Sequence, residues 1–448
     1  MDTRQPSPAR IADLANALAN AEKRYRARHP NSASRHAYAA AHMPGGNTRT
    51  VLHYSPFPLT WAGGKGNRLT DVDGLEYLDL LGEYSAGLYG HSDPIVHAAV
   101  RAALDAGLAL GGPNLYEARL AEAIRARFAS MDLVRFTNSG TEANLLALST
   151  ARALRPGRPR VMAFDGAYHG GVFQFRHGGS QLNVPFDWLI GEYNEIEATR
   201  ALLRAHARTL GAVIVEPMLG GRCIAGTAEF LTMLRAECSA HDIILVFDEV
   251  MTSRLGPAGV QGLLGIAPDL TTLGKYLGGG APFGAFGGRR AIMERFDPAR
   301  PDSLNHAGTF NNNVLSMAAG LAGLTQVFTP AAANRINALG DRLRDRLNHM
   351  AHARAARFEA TGRGSLVGLR FGNGPADRAQ SRASGDESDA QRQLEALFHL
   401  DMLERGYYFG RRGYVALSLP TTEADCDGFS DAVDDFLWTH RTLIDSIR

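Results

Sequence analysis

Between residues 92 and 324 the chain alternates helical periods with five short apolar runs, at 134–136, 161–164, 212–215, 243–247 and 270–273. Strands built from runs this short and this apolar, separated by helical periods, are expected to be covered on both faces, and the intervening helices supply the cover. The pattern predicts an α/β fold whose large domain has a mostly parallel central sheet with helices packed on it. On the N-terminal side, an Ala-rich helix at 10–28 precedes a glycine and proline loop at 44–54. Alternating segments follow around 59–61 and 69–80, with Asp73-Gly74 read as a hairpin turn between them. Beyond Ala332 a long helix is expected at 334–355, strands at 366–371 and 415–419, and a closing helix after Thr422. The polar, Gly/Ser/Asp-rich stretch 372–390 is expected to be a mobile loop. The expected organisation is therefore 1–80 as the N-terminal helix and strands of a small α+β domain, 81–330 as the large domain, and 331–448 as the rest of the small domain.

In open α/β sheets ligands collect outside the carboxyl ends of the strands, so the residues just after each run carry the chemistry. After 134–136 comes Asn138-Ser139-Gly140-Thr141-Glu142, opening an Ala/Leu-rich helix. Its hydroxyls and free backbone N–H groups suit a phosphate at a helix N-terminus, although ordinary N-capping explains the same cluster. After 161–164, Tyr168-His169-Gly170 offers a ring able to lie on a planar group, or simply a core tyrosine in a turn. Glu216 and Asp248 each end an apolar run. A buried acid needs a partner. A protonated ring nitrogen would serve, as would a cap or an arginine, and Asp248, directly behind five apolar residues, fits the cap reading less well than Glu216.

Of 47 Lys and Arg residues only Lys23, Lys65 and Lys275 are lysines. Arginine replaces lysine on a solvated surface but not where an amine must act as a nucleophile, so each surviving lysine counts. Lys23 lies in a charged helical stretch and Lys65 in a turn, whereas Lys275 follows an apolar run that breaks into Gly278-Gly279-Gly280. Lys275 is the candidate nucleophile. A net charge of +1 gives no field to attract nucleic acid or an anionic membrane, and no stretch matches an apolar membrane span. The three cysteines are widely spaced and form no metal or disulfide pattern, which suits a cytoplasmic protein without a metal. The glycines after Lys275 do not follow the dinucleotide-binding spacing.

Taken in order, Asn138-Ser139-Gly140-Thr141-Glu142-Ala143, Tyr168-His169-Gly170, Glu216-Pro217, Asp248-Glu249-Val250, Gly274-Lys275 and Gly308-Thr309-Phe310 resemble the class III, fold-type-I pyridoxal-phosphate aminotransferases and the related glutamate semialdehyde aminomutases. The resemblance covers nearly the whole chain. Segments 247–255, 274–280 and 309–319 look most like aromatic β-amino-acid (β-phenylalanine) aminotransferases. The resemblance implies pyridoxal 5'-phosphate as cofactor, with Lys275 forming the internal aldimine and acting as the acid-base group of a transamination that passes through a quinonoid. Asp248 would pair with the ring nitrogen, Tyr168 and Val250 would cover the two ring faces, and Ser139, Gly140 and Thr141 would hold the phosphate. Thr309 would complete the site of the partner subunit in a homodimer, and Glu216 would lie near the ring without one assigned role. Arg49 and Arg412 would clamp a substrate carboxylate, with Arg411 as a neighbouring alternative to Arg412. The donor implied is an aromatic β-amino acid and the acceptor a keto acid such as 2-oxoglutarate. The alternatives are a 2,1-aminomutase, which needs no external keto acid, and a different ω-amine donor.

Overall fold

The computed structural model describes residues 8–176, 179–372 and 389–446. Its central element is a seven-stranded sheet in the order Leu133–Thr137, Gly284–Gly288, Leu270–Gly274, Ile244–Asp248, Leu210–Val215, Arg160–Phe164 and Asp187–Gly191. Six strands run in one direction, and Gly284–Gly288 lies antiparallel to both its neighbours. All five expected strands are present within two residues of their predicted ends. Two strands were not foreseen. Gly284-Ala-Phe-Gly-Gly has the composition of a loop, yet its glycines are what let it insert here, because a Cβ on Gly284 would collide with the Ser139 carbonyl and one on Gly288 with that of Asp269. Asp187–Gly191 is a half-buried edge strand whose short apolar stretch, Trp188-Leu189-Ile190, is flanked by Asp187 and Gly191.

The strands Leu210–Val215, Ile244–Asp248 and Leu270–Gly274 are buried at every position, including Thr271, Thr272 and Asp248, as expected of strands covered on both faces. The helix Gly140–Leu154 packs over five of the strands through Ala143, Ala147, Leu148 and Ala151. This layered core places Thr137, Phe164, Val215, Asp248 and Gly274 along one edge of the sheet.

The remaining sheets join both ends of the chain. A four-stranded sheet combines Trp61–Lys65, Arg68–Asp71 and Glu76–Asp79 with Tyr407–Tyr408, and a three-stranded antiparallel sheet combines Phe358–Arg363, Leu366–Phe371 and Tyr414–Ala416. The long helix spans Pro330–Ala353, and the closing helix Glu423–Thr439 starts at the expected Thr422, whose hydroxyl accepts from Asp425 N at 3.1 Å. The protein is thus α/β, with a large mostly parallel sheet and separate small sheets. One turn differs from expectation. The first hairpin closes at Gly66-Asn67, and Asp73-Gly74 instead joins Arg68–Asp71 to Glu76–Asp79. Most of the loop expected at 372–390 lies outside the described residues.

Candidate active site

Asp248 ends its strand 4% exposed, and its carboxylate is tied down from three elements. Oδ2 accepts from His169 Nδ1 at 2.7 Å and from Asn144 Nδ2 at 2.8 Å, and Oδ1 accepts from Val250 N at 3.0 Å. Asn144 is itself oriented, donating also to the His169 carbonyl at 2.9 Å and accepting from Thr272 Oγ1 at 2.6 Å. A carboxylate offers about four acceptor positions. Asp248 is therefore a buried, fixed acid with capacity for one further donor.

The helix N-terminus beside it is closely packed. Ser139 is the N-cap, accepting from Glu142 N at 3.2 Å, so the capping role is real. Its hydroxyl proton remains free to donate elsewhere. A Cβ on Gly140 would stand 2.8 Å from Val250 Cγ2, and one on Gly274 would stand 3.1 Å from Val250 Cγ1. Val250 is thereby wedged between the helix start and the segment that carries Lys275. Gly170, at φ +124°, passes so close to Thr141 that any side chain there would fall on its hydroxyl. These contacts draw Ser139, Gly140, Thr141, Val250 and the Tyr168-His169-Gly170 turn to a single place.

Lys275 begins the short turn Lys275–Gly278 with φ +56°, a left-handed conformation that is costly for a side-chain-bearing residue. Its amine has no hydrogen-bond or ion-pair partner among the described residues. Burial, and secondly the charge of Arg49, bring its pKa down to about 8 against the opposing pull of Asp248 and Glu216. At neutral pH a tenth of such amines are unprotonated, enough for nucleophilic attack.

Glu216 is also 4% exposed, its Oε2 accepting from Tyr168 N and its Oε1 from Gly220 N, each at 2.9 Å. Burial, reinforced by Asp248, holds it above the usual carboxylate range, while His169 and the two backbone donors act the other way. The Tyr168 side chain is half-exposed, and the charges of Arg49, Glu216 and Asp248 all act on it.

Arg49 sits on the outer side of this group. It pairs with Glu83 and lies 5.4 Å from the centroid of the Tyr84 ring. Tyr84 in turn stacks on Tyr414, with centroids 5.6 Å apart and planes 21° from parallel. Arg412 acts electrostatically on Tyr84, whereas Arg411 acts on the buried His399. Thr309 is exposed beside Phe310, itself 65% exposed, on a loop whose Asn311 Oδ1 accepts from Asn138 Nδ2 at 3.0 Å. Their loop is fixed by Asn114 Nδ2 donating to the Asn312 carbonyl at 2.7 Å. No hydrogen bond ties Thr309 to the other residues within the chain, among the described residues.

Four participants in this arrangement were not singled out from sequence. Asn144 was legible in principle, being a polar residue on the buried face of an Ala/Leu-rich helix, and His169 stood inside a motif without a role of its own. Glu83 and Tyr84 carried no signal, since what makes them matter is a backbone turn from Gly82 to Ser85 with four successive positive φ angles of +49°, +48°, +52° and +73°.

The family model for class III aminotransferases matches residues 52–175 and 181–406. The chain is 46% identical to a β-phenylalanine transaminase of Variovorax paradoxus over 97% of its own length and 98% of that protein. It is 38% identical to a glutamate-1-semialdehyde 2,1-aminomutase of Bordetella avium, over 78% of this chain and 84% of that one. A crystal structure of a β-phenylalanine aminotransferase from Variovorax paradoxus superposes with a TM-score of 0.93 at 45% identity, covering 96% of this chain and 99% of that one. The protein belongs to the class III aminotransferases, a pyridoxal-phosphate-dependent family. It is an aminotransferase of that family, and its cofactor is pyridoxal 5'-phosphate.

Proposed function

We propose that the protein transfers the amino group of an aromatic β-amino acid, of the β-phenylalanine kind, to a keto acid such as 2-oxoglutarate. The observation that carries the reading is a lysine of depressed pKa and a buried, hydrogen-bonded Asp248 at one sheet edge, with Arg49 and Arg412 gathered on the outer side through Tyr84. The close likeness to a transaminase bearing that substrate's name supports the same donor.

The residues present fit the cofactor. Asp248, a fixed anion with a spare acceptor position, would hold the ring nitrogen; Ser139, Gly140 and Thr141 would hold the phosphate at the helix N-terminus. Tyr168 and Val250 would take the two ring faces, and Lys275 would be the point of attachment. When bound, pyridoxal phosphate supplies an electrophilic carbon for amines and a ring that acts as an electron sink. The protein supplies the rest. Asp248 keeps a proton on the atom facing it, His169 and Asn144 hold Asp248 in place, and the Lys275 Nζ accepts and returns the proton that moves during amino transfer. Glu216 orients the Tyr168 backbone.

Arg49 and Arg412 would bind the carboxylate of either substrate, and of the two neighbouring arginines Arg412 is favoured because its charge reaches Tyr84. Thr309 would complete the site of a second copy in a homodimer, a reading supported by the exposed Leu110, Leu115 and Phe310 on loops joined through Asn114 and Asn312. The same reading assigns residues 1–80 and 331–448 to the small domain, 81–330 to the large one, and the protein to the cytoplasm. The test is to supply β-phenylalanine with 2-oxoglutarate and measure glutamate. Formation of glutamate is expected, and its absence with any β- or ω-amino donor overturns the reading. Isomerisation of an amino donor without any keto acid would favour the aminomutase alternative.

A further inference from the structure

Arg254 is among the largest side chains buried completely in the protein, and it has no acid beside it. It lies in the turn Thr252–Arg254, six residues beyond Asp248. Its guanidinium donates from Nε to Ser365 Oγ at 3.0 Å, from Nη1 to the Ser85 carbonyl at 3.3 Å and from Nη2 to the Leu417 carbonyl. All three acceptors are neutral, and among the described residues no carboxylate lies within ion-pairing distance. Burial lowers its pKa to about 10, with Tyr414, Tyr276 and Tyr89 opposing, so it stays charged at neutral pH. A buried charge without a counter-ion is costly, and an apolar side chain of similar size would serve packing alone at least as well.

What the charge does is visible in its acceptors. Ser85 closes the left-handed turn that presents Glu83 and Tyr84 to Arg49, and Leu417 directly follows the strand Tyr414–Ala416. Tyr84 and Tyr414 are the two stacked rings, and the single guanidinium therefore grips the backbone on both sides of that stack. The Arg254 carbonyl also accepts from Asn337 Nδ2 at 2.9 Å, while Asn337 Oδ1 accepts from Ser365 N at 2.8 Å, closing a ring of hydrogen bonds through the long helix. Only the planar fork of arginine can serve three acceptors in such different directions; a lysine ammonium on a flexible stem cannot.

From this geometry we infer that Arg254 is a positioning residue for carboxylate recognition: it locks the Glu83–Tyr84 turn, and hence Arg49, to the Arg412–Tyr414 segment and to the loop behind Asp248. The inference rests on the assignment of Arg49 and Arg412 as substrate-binding groups. It is tested with the full-length, cofactor-loaded enzyme carrying Arg254→Lys. KM for both the β-amino acid and 2-oxoglutarate is expected to rise about tenfold or more, since small misplacements of a binding group have effects of this size, while kcat stays within about threefold and the cofactor absorbance and affinity are unchanged. Unchanged KM values in a folded protein overturn the inference, as does a parallel loss of kcat and cofactor affinity. Should Arg254→Lys not fold, Ser365→Ala removes a single acceptor and is expected to raise both KM values about two- to fivefold, with no change again counting against it. An Arg49→Ala control separates the two readings. If it leaves KM unaltered, the substrate assignment itself fails; if it raises KM while Arg254→Lys does not, only the role of Arg254 fails.

Discussion

The two sides of the candidate site are built in opposite ways. On the proposed cofactor side, Asp248, Glu216 and Asn144 are almost wholly buried, come from a strand, the position just past a strand and a helix, and are held by hydrogen bonds of 2.6–3.0 Å. On the carboxylate side, the Arg49–Glu83 pair has side chains 42% and 59% exposed, and its members come from a loop and a strained turn. The first arrangement fixes charges where water cannot screen them; the second leaves two long side chains in solvent, where ion pairs are weak and readily exchanged. An aminotransferase has a use for both, since one cofactor must stay in place while two different substrates come and go.

If this contrast holds, substitutions on the cofactor side should damage turnover and those on the carboxylate side should damage binding. Lys275→Ala is expected to have the largest effect, lowering kcat by about 10⁴-fold or more, because on the proposed reading it removes both the attachment point and the acid-base group. Borohydride reduction of the wild-type holoenzyme should place the cofactor on the peptide carrying Lys275, and finding it on another peptide would break the assignment. Asp248→Asn keeps the shape but removes the buried charge. Breaking a buried charge pair costs about 3–5 kcal/mol, so kcat should fall about 10²- to 10⁴-fold with a shifted cofactor spectrum. A variant with normal kcat would show that Asp248 is merely structural.

Arg49→Ala should instead raise KM for carboxylate substrates about 10- to 100-fold at nearly constant kcat, from the loss of about 1.5–3 kcal/mol of charged hydrogen bonding. Arg412→Ala should behave likewise and Arg411→Ala should not, which steady-state kinetics would decide. The pH profile sharpens the electrostatic side. Because the Lys275 pKa is lowered to about 8, cofactor attachment to the apoprotein should slow about tenfold per unit as pH falls below about 8, and be flat above it. A profile still rising toward pH 10 would show an unperturbed lysine. The sign of the linkage follows: the folded state binds fewer protons than the unfolded state between about pH 8 and the unperturbed lysine range, so Lys275 makes the apoprotein gain stability as pH rises through that window. Glu83→Gln should have the smallest effect, altering KM by less than about fivefold, in keeping with an exposed ion pair. A larger change would mean that the Glu83 ion pair itself, more than the Tyr84 ring and the backbone of their turn, holds Arg49 in its working position.

Much of the cofactor side was legible because it obeys local rules. Three- to five-residue apolar runs can be little else than strands of a covered parallel sheet, and the chemistry sits just past their ends, where Ser139, Tyr168, Glu216, Asp248 and Lys275 all stand. The rarity of lysine then separated Lys275 from a chain full of arginines. Gly284–Gly288 escaped notice because its fitness as a strand lies in its neighbours' backbones, not in its own side chains.

The sequence by itself therefore determined the layered α/β core, and it pointed to the sheet edge and to the lysine on which the proposed site is built, since each follows from periodicity or from a side chain's own chemistry. Only the tertiary structure decided that His169 and Asn144 secure Asp248 and that a buried Arg254 grips both sides of the Tyr84–Tyr414 stack. These relations join residues that are tens to hundreds of positions apart. They depend on backbone carbonyls and left-handed turns, which identical side chains in a different fold would not reproduce.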